Sequence, residues 1–598
     1  MVEKIYLSYF FKMTGVGIDL GTTFSSIAFF LENKNQPDVV VIDGQRSIPS
    51  VVGFVNGETI IGQLAKTHKA EYENQVIYDT KRALGKMYND PVIQDDKKSW
   101  PFQISADENG YVQYDISDDG KTIHKTPESI AALLLKFLMK KLNMTQTQKV
   151  QHAVITVPTS FSRIQKEKIQ IAAKAAGIQV VSFLPESSAA AIAYGLLNNT
   201  EQKLLIFDFG GGTLDVSVIE INKNNEVKEL ATAGDSHLGG RNIDNKLAEY
   251  IFGKLAESGK DYRNNKKVLS IVQDACERAK IALSNKGTIR ADISFNFNQE
   301  SYSYTITRKN FEKINDDIFD KILPPVEEAL RKANLTKDQI TDILAVGGSS
   351  HIPIVRETLS DFFDKDPLDS GIVTDEAIAI GAAIYCKTKL KEGGAPLDSD
   401  SEFLTKLSES SSDDENDLPP PRPAPNPVNT TPAFAKPPPA RLGGQIALKV
   451  VNKVPHTIYT RDVDGYYDVI FKKGSDMPAT KNLSYGMAFT DNGESFHVLE
   501  AVTIEIFEGN DDPKNPEYNL IKRYTFTLPK DVQGKQEATK ETYNIDAAGN
   551  LSVNFKFQLS GKEYKGNVEK DALFHNDEQF RNMMHDVNRL MKQEKINL

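Results

Sequence analysis

Along roughly the first two thirds of the chain, short apolar runs alternate with longer stretches of helical period. The runs VGIDL, AVITV, KLLIFDF and DILAV have strand length, whereas RIQKEKIQIAAKAAG and VLSIVQDACERAKIAL repeat their apolar residues every three or four positions. Strands interleaved with helices predict an α/β domain. Further on the period falls to two. Val502, Ile504 and Ile506 alternate with Thr503, Glu505 and Phe507, and Leu551, Val553, Phe555 and Phe557 alternate with Ser552, Asn554 and Lys556. This predicts a β domain whose strands face one core. The closing residues Phe580, Met583, Met584, Val587, Leu590 and Met591 fall on one face of an amphipathic helix, with Asn576 or Asp577 as its N-cap.

Between the two patterns the composition breaks. Pro419 to Pro439 holds ten prolines in 21 residues, directly after the run SESSSDDEND. Such a stretch has too little apolar surface for a core and predicts an extended, solvated tether. Its Ser408, Ser410, Ser411 and Ser412 read either as phosphorylation acceptors or as plain spacer. The same region carries much of the charge: the 598 residues have a formal net charge of -11, of which Ala395 to Asp417 supplies -7. The globular remainder is nearly balanced, so no direct nucleic-acid surface is expected.

Two cysteines, Cys276 and Cys386, offer no disulfide framework, and neither a CxxC nor an HExxH pair points to zinc. No stretch approaches the ~18 apolar residues that span a bilayer. The short run Ile5 to Phe11 meets Lys12 and then the first strand, without room for a cleavable signal. Residues 1–12 read either as a dispensable extension or as ordered strand. With the chain ending KINL, the expectation is a cytosolic protein with no membrane partner.

The most informative feature is an internal repeat: GVGIDLGTTFSSIAFFLENKN near the start and LLIFDFGGGTLDVSVIEINKN about a third of the way along. Both read strand, Asp, glycine turn with Thr, strand. Asp19 precedes Gly21, Thr22 and Thr23, and Asp208 precedes Gly210, Gly211, Gly212 and Thr213. Glycines let backbone N–H groups approach phosphate oxygens, and Thr hydroxyls add donors without bulk. Carboxylates at the strand ends can hold hydrated Mg²⁺ and orient an attacking water. A third strand-to-glycine turn, ILAVGGSSHIP, offers Gly347, Gly348 and Ser349 for an adenosine. No GxxxxGK[ST] occurs, which excludes the P-loop class.

The hairpin pair, VITVPTSFS, PESSAAAIAYGL, AGDSHLGGRNID, ACERAK and VGGSSHIP, in this order and spacing, closely resembles the nucleotide-binding domain of the 70-kDa heat-shock protein (DnaK-type) chaperones, over roughly residues 14–390. Actin-like sugar kinases share the hairpins but not GDSHLGG or the sequence around Glu186. Beyond the tether, KKGSDMPATKN, AVTIEIFEG, NLIKRYTFTLP and YNIDAAGNLSVNFKFQLSGKE look like that family's peptide-binding β-sandwich. The implied architecture is an α/β actin-like ATPase domain of two lobes followed by a β-sandwich and a short C-terminal helix. The expected boundaries are an extension over 1–13, the nucleotide-binding domain over 14–393, a disordered linker over 394–444, the sandwich over 445–564 and a truncated lid over 565–598.

By this resemblance the cofactors are ATP/ADP and Mg²⁺, with Asp19 and Asp208 holding the metal through water. Thr22, Thr23 and Thr213 contact phosphates, Glu186 orders the metal's water shell, and Asp215 also matches. Lys81, in YDTKRALG, positions the γ-phosphate and the water. Glu277, Lys280, Ser284, Gly348, Ser349 and Asp375 fall on adenosine-site positions. Val502 falls on the central pocket of the peptide groove, Ile504 beside it and Val463 on its arch. The implied partners are unfolded or nascent polypeptides, a nucleotide-exchange factor and a J-domain co-chaperone.

Several positions depart from the family. Ile281 and His351 stand where two arginines commonly sandwich the adenine, which predicts weaker nucleotide binding. Ser182 and Pro185 replace the Arg and Asn usual at the J-domain dock, whereas Pro158 and Lys166, on the family's relay positions, are kept. The leucine-rich interdomain linker is missing. A flexible tether of about 50 residues, spanning roughly 35 to 40 Å, predicts nearly independent domains and loose ATP control of peptide release. The short lid predicts fast peptide exit, and its Met stripe is read either as packing on its own domain or as adapting to varied ligands. The expected activity is slow ATP hydrolysis by a cytosolic chaperone. The alternative is a non-cycling, ribosome-associated co-chaperone that uses ATP mainly as a structural ligand; an actin-like small-molecule kinase leaves the β domain without a role.

Overall fold

The hairpin repeat of the sequence becomes a repeat of sheets. The computed structural model describes residues 13–391 except 32–34, 119–120, 145–149, 195–200, 264 and 369–374, and beyond them 449–451, 453–461, 467–486, 501–509, 518–527, 538–546, 551–557, 563–567 and 583. In the first lobe, strand Met13–Leu20 pairs antiparallel with Phe24–Leu31 and parallel with His152–Val157, whose outer neighbour is Gln179–Pro185. In the second, Gln202–Phe209 pairs antiparallel with Leu214–Ile221 and parallel with Asp342–Val346. Each lobe therefore places the same hairpin at the centre of a mixed sheet. Helices cover the faces. Arg163–Ala175 starts on a capping box of Ser162 and Gln165, and Lys266–Ser284 on the Asn265 side chain, so both helices predicted from periodicity form with ordinary caps.

Each lobe has its own apolar core, and a third cluster joins them. Its centre is helix Ala377–Lys391, whose residues Ala377 to Cys386 are all buried. A helix apolar on every side has no solvent face, and this one lies against strand residues Ala28 and Phe30 of one lobe and Leu204 and Ile206 of the other. Small side chains allow close approach to helix Glu186–Ala193: a methyl group on Gly381 would lie 1.8 Å from the Ala189 carbonyl oxygen.

The C-terminal strands form two four-stranded antiparallel sheets, one ordered Tyr467–Phe471, Thr457–Arg461, Ala501–Gly509, Tyr518–Thr527 and the other Ala479–Gly486, Ala538–Ile545, Leu551–Phe557, Glu563–Asn567. Ile458, Ile504 and Ile506 from the first meet Tyr543, Val553 and Phe555 from the second in one buried cluster. The period-2 pattern at residues 502–507 and 551–557 thus marks real strands. Of the closing stripe, Met583 is described, and it is buried in the first lobe's cluster; Phe580, Met584, Val587, Leu590 and Met591 lie outside the described residues, as do the extension 1–12, the acidic and Pro-rich tether and Val463.

The connection between the domains corrects one expectation. Strand Lys449–Val451 pairs parallel with Glu226–Lys228 and becomes the fifth strand of the second lobe's sheet. Val450 is buried with Ile219, Ile221 and Val227. The open edge of Glu226–Asp235 supplies unpaired backbone groups and KVV supplies a β-branched run to meet them. The chain therefore rejoins the second lobe's sheet before entering the β domain, and Lys228 with Asp476 at 2.6 Å and His456 Nε2 at 3.1 Å from the Ser160 carbonyl oxygen add further contacts. Nearly independent domains do not describe this arrangement.

Gly381→Ala is expected to lower the thermal midpoint of the N-terminal domain, because overpacking a tight core costs about 1 to 3 kcal/mol. A midpoint equal to that of the unsubstituted protein would show that the two helices have room to separate.

Candidate active site

The two Asp residues of the repeat occupy equivalent places: each is the penultimate residue of its strand, Asp19 opposite Ser26 and Asp208 opposite Asp215. The turns that follow face each other across a cleft of about 870 Å³. They approach so closely that a methyl group on Gly211 would meet Thr23 Oγ1 at 2.5 Å. Only glycine fits there. Asp19, Gly21, Thr22, Thr23, Lys81, Glu186, Asp208, Gly210, Gly211, Gly212 and Thr213 all line this cleft, and so do Glu277, Lys280, Ser284, Gly347, Gly348, Ser349 and Asp375 further along it. Asp215 stands one strand over from Asp208 and accepts a hydrogen bond from Thr213.

Lys81 is buried and ion-paired with Glu186, the first residue of helix Glu186–Ala193. Burial opposes its charge, but Glu186 and Asp19 hold its ammonium above the usual lysine value. The carboxylates around it are crowded. Burial first, then Glu186, pushes Asp19 up to about 7, against the pull of Lys81 and a 3.1 Å hydrogen bond from Thr156. Asp208 is raised well above the carboxylate range by burial and by Glu186, Asp215 and Asp19, and Asp215 is pushed up to about 6 by burial and Glu186. Four acids share one lysine.

The other end of the cleft is neutralised pair by pair. Lys280 donates to Asp244 at 2.6 Å and to the Gly240 carbonyl at 3.1 Å, while Ser284 Oγ donates to the Lys280 carbonyl at 2.9 Å. Burial pulls Glu277 up, yet Lys66 at 2.5 Å holds it below its ordinary value. Ser349 Oγ donates to the Gly210 carbonyl at 2.8 Å, tying the third glycine turn to the second. Ile281, 56% exposed, and His351 also line this end.

These residues suit a hydrated divalent cation and a polyphosphate. At the acidic end Lys81 alone does not balance the carboxylates, the ligands are hard oxygens, and Thr23 Oγ1 is a buried hydroxyl with no hydrogen-bond partner among the described residues. Among those residues no three His, Cys, Asp or Glu side chains close into a direct metal cage.

Sequence reasoning missed Asp79, Tyr78 and Arg241, which also line the cleft. Asp79 and Arg241 sit inside the motifs YDTKRALG and AGDSHLGGRNID, but nothing local signals that two residues 162 apart in sequence form an ion pair. In the β domain, Ile504 lies in the core between the two sheets; for Val502 its strand pairing with Phe526 is described.

Groups raised in the folded state bind protons more tightly than in the unfolded chain, so Asp19, Asp208 and Asp215 stabilise the ligand-free protein most at low pH. That contribution is lost as pH rises toward about 7, the value of Asp19. Asp208→Asn should flatten this dependence and raise the ligand-free melting midpoint near neutral pH by about 2 to 4 °C, as roughly 1 kcal/mol of relieved repulsion would. A midpoint lower than that of the unsubstituted protein at every pH would refute the crowding.

The Hsp70 protein family model matches residues 15–394. The chain is also 30% identical over 562 residues to the heat shock 70 kDa protein of Emericella nidulans, an alignment covering 93% of this chain and 78% of that relative. No helix among the described residues is long and apolar enough to cross a membrane. With paired glycine turns, an acidic cleft and two like-built lobes, the chain belongs to the Hsp70 protein family.

Proposed function

We propose that this protein is an ATP-dependent chaperone: its N-terminal domain binds and slowly hydrolyses Mg·ATP, and its C-terminal β domain holds extended apolar segments of unfolded or nascent polypeptides. Membership of the Hsp70 family supports a chaperone function. The observation that carries the finer reading is the acidic cleft in which Lys81, paired with Glu186, lies among Asp19 and Asp208 between two matched turns.

When bound, Mg·ATP supplies a strained phosphoanhydride and the divalent charge that the acid cluster lacks. The chain's own residues do the rest. Backbone N–H groups of the turns at Gly21–Thr23 and Gly210–Thr213, with the Thr hydroxyls, donate toward phosphate oxygens. Lys81 stays protonated and places a fixed positive charge where negative charge develops, and Glu186 holds its orientation. Asp208, at the strand end beside the second turn, would hold the metal through water and help orient the attacking water.

At the base end, exposed Ile281 offers no cation to stack on adenine, in keeping with modest affinity. The free, buried Cys276 and Cys386 support a reducing, cytosolic setting. J-domain and exchange-factor partners follow from the family by analogy.

Lys81→Ala is expected to retain ATP binding and lose single-turnover hydrolysis by about 10²- to 10³-fold; unchanged turnover would remove Lys81 from the mechanism. Val502→Phe should weaken Leu-rich peptides about tenfold, or about 1.4 kcal/mol, measured by fluorescence anisotropy. Equal affinity in both proteins would argue against a groove at this strand.

A further inference from the structure

Asp79 lies two residues before Lys81 with φ 60°, a left-handed conformation that asparagine and aspartate tolerate better than other residues with a side chain. Its side chain is 2% exposed. Oδ2 accepts the indole N–H of Trp100 at 3.2 Å and is ion-paired with the guanidinium of Arg241. Oδ1 is buried with no hydrogen-bond partner among the described residues. Asp79 and Trp100 belong to the first lobe. Arg241 belongs to the second, on the first turn of helix Gly240–Glu257, where its amide donates to the Gly211 carbonyl at 2.8 Å. Its guanidinium also lies 5.6 Å from the centre of the Tyr78 ring.

A half-satisfied, buried carboxylate in one lobe thus takes its ion-pair partner from the other. Removing the partner of such a charge is costly, because the group must either stay buried unpaired or draw in water. Separation of the lobes moves Arg241 away from Asp79. The pair therefore resists opening, and it does so at both edges of the cleft's machinery: one end is tied to the Gly211 turn, the other to the segment bearing Lys81. Arg241 itself keeps 36% side-chain exposure, so water reaches the arginine side of the pair while Asp79 stays buried. Although burial acts against its charge, Asp79 holds Arg241 above its ordinary value.

We infer that Arg241 and Asp79 form a latch between the lobes that sets how fast the cleft releases its contents, with Arg241 a positioning residue for the Lys81 segment. The release part rests on the ATP reading above; the latch does not, and Trp100 separates them. It is the sole tryptophan and hydrogen-bonds the latch carboxylate.

The experiment is a double-mutant cycle in the full chain, with Arg241→Ala, Asp79→Asn and the pair combined, and Arg241→Lys as the conservative variant. Asparagine keeps the left-handed backbone and removes the charge. Two readouts are taken: acrylamide quenching of Trp100 without nucleotide, and the dissociation rate of a fluorescent ADP analogue with Mg²⁺. Each single substitution is expected to raise quenching and to speed dissociation about tenfold, the combined variant no more than either single one, and Arg241→Lys to restore most of the slow rate. Quenching unchanged in Arg241→Ala, or single effects that multiply in the combined variant, would overturn the latch. Should Asp79→Asn fail to fold, as circular dichroism would report, Arg241→Ala against Arg241→Lys decides the matter alone. If the unsubstituted protein binds no ADP analogue, the ATP reading fails while the Trp100 comparison still judges the latch.

Discussion

Like charges forced together organise this protein. Asp19, Glu186, Asp208 and Asp215 share the positive charge of Lys81 in a cleft that water only partly reaches, and burial adds to the repulsion among them. Once its carboxylates are ionised, such a cluster opposes the fold that holds it. The stability must come from elsewhere, and the three apolar clusters supply it, above all the buried stretch Ala377 to Cys386 of the helix that both lobes share. The rigid parts hold Asp19, Asp208 and Asp215 at a raised proton affinity that a divalent cation would relieve, so binding energy and relief of repulsion act together.

Duplication of one hairpin explains why the cleft lies where it does. Each lobe centres its sheet on the same strand, turn, strand unit, and packing the lobes on a common helix brings the two turns face to face. Because each turn also contacts the opposite lobe, through Thr23 against Gly211 and through Arg241 against Asp79, the cleft has few ways to open that leave its contents untouched. The catalytic and mechanical roles proposed above fall on neighbouring residues of one short segment, Lys81 and Asp79.

Much of this was legible in the chain. The repeat revealed Asp19, Asp208 and the glycine turns because phosphate binding requires particular residue types in fixed order, and the two helices at Arg163–Ala175 and Lys266–Ser284 announced themselves by period and by Ser162 and Asn265 caps. What stayed hidden depended on tertiary approach. Arg241 and Asp79 carry no mark of their pairing. Lys449–Val451 is too short a run to stand out beside ten prolines, and its strand character exists only because the Glu226–Asp235 edge is open to receive it. Ile504 alternates correctly, yet periodicity alone cannot tell a residue that faces a sister sheet from one that lines a groove.

The place where the chain rejoins the second lobe changes what the acidic, Pro-rich segment is. With helix Ala377–Lys391 before it and strand Lys449–Val451 after it both seated in the N-terminal domain, the segment starts and ends on the same body. The entropy of closing a flexible loop grows only logarithmically, about 0.6 kcal/mol for each doubling of length. Evolution can therefore lengthen, shorten or rewrite that insertion almost freely, while the distance between the lobes and the β domain stays set by a few residues after it.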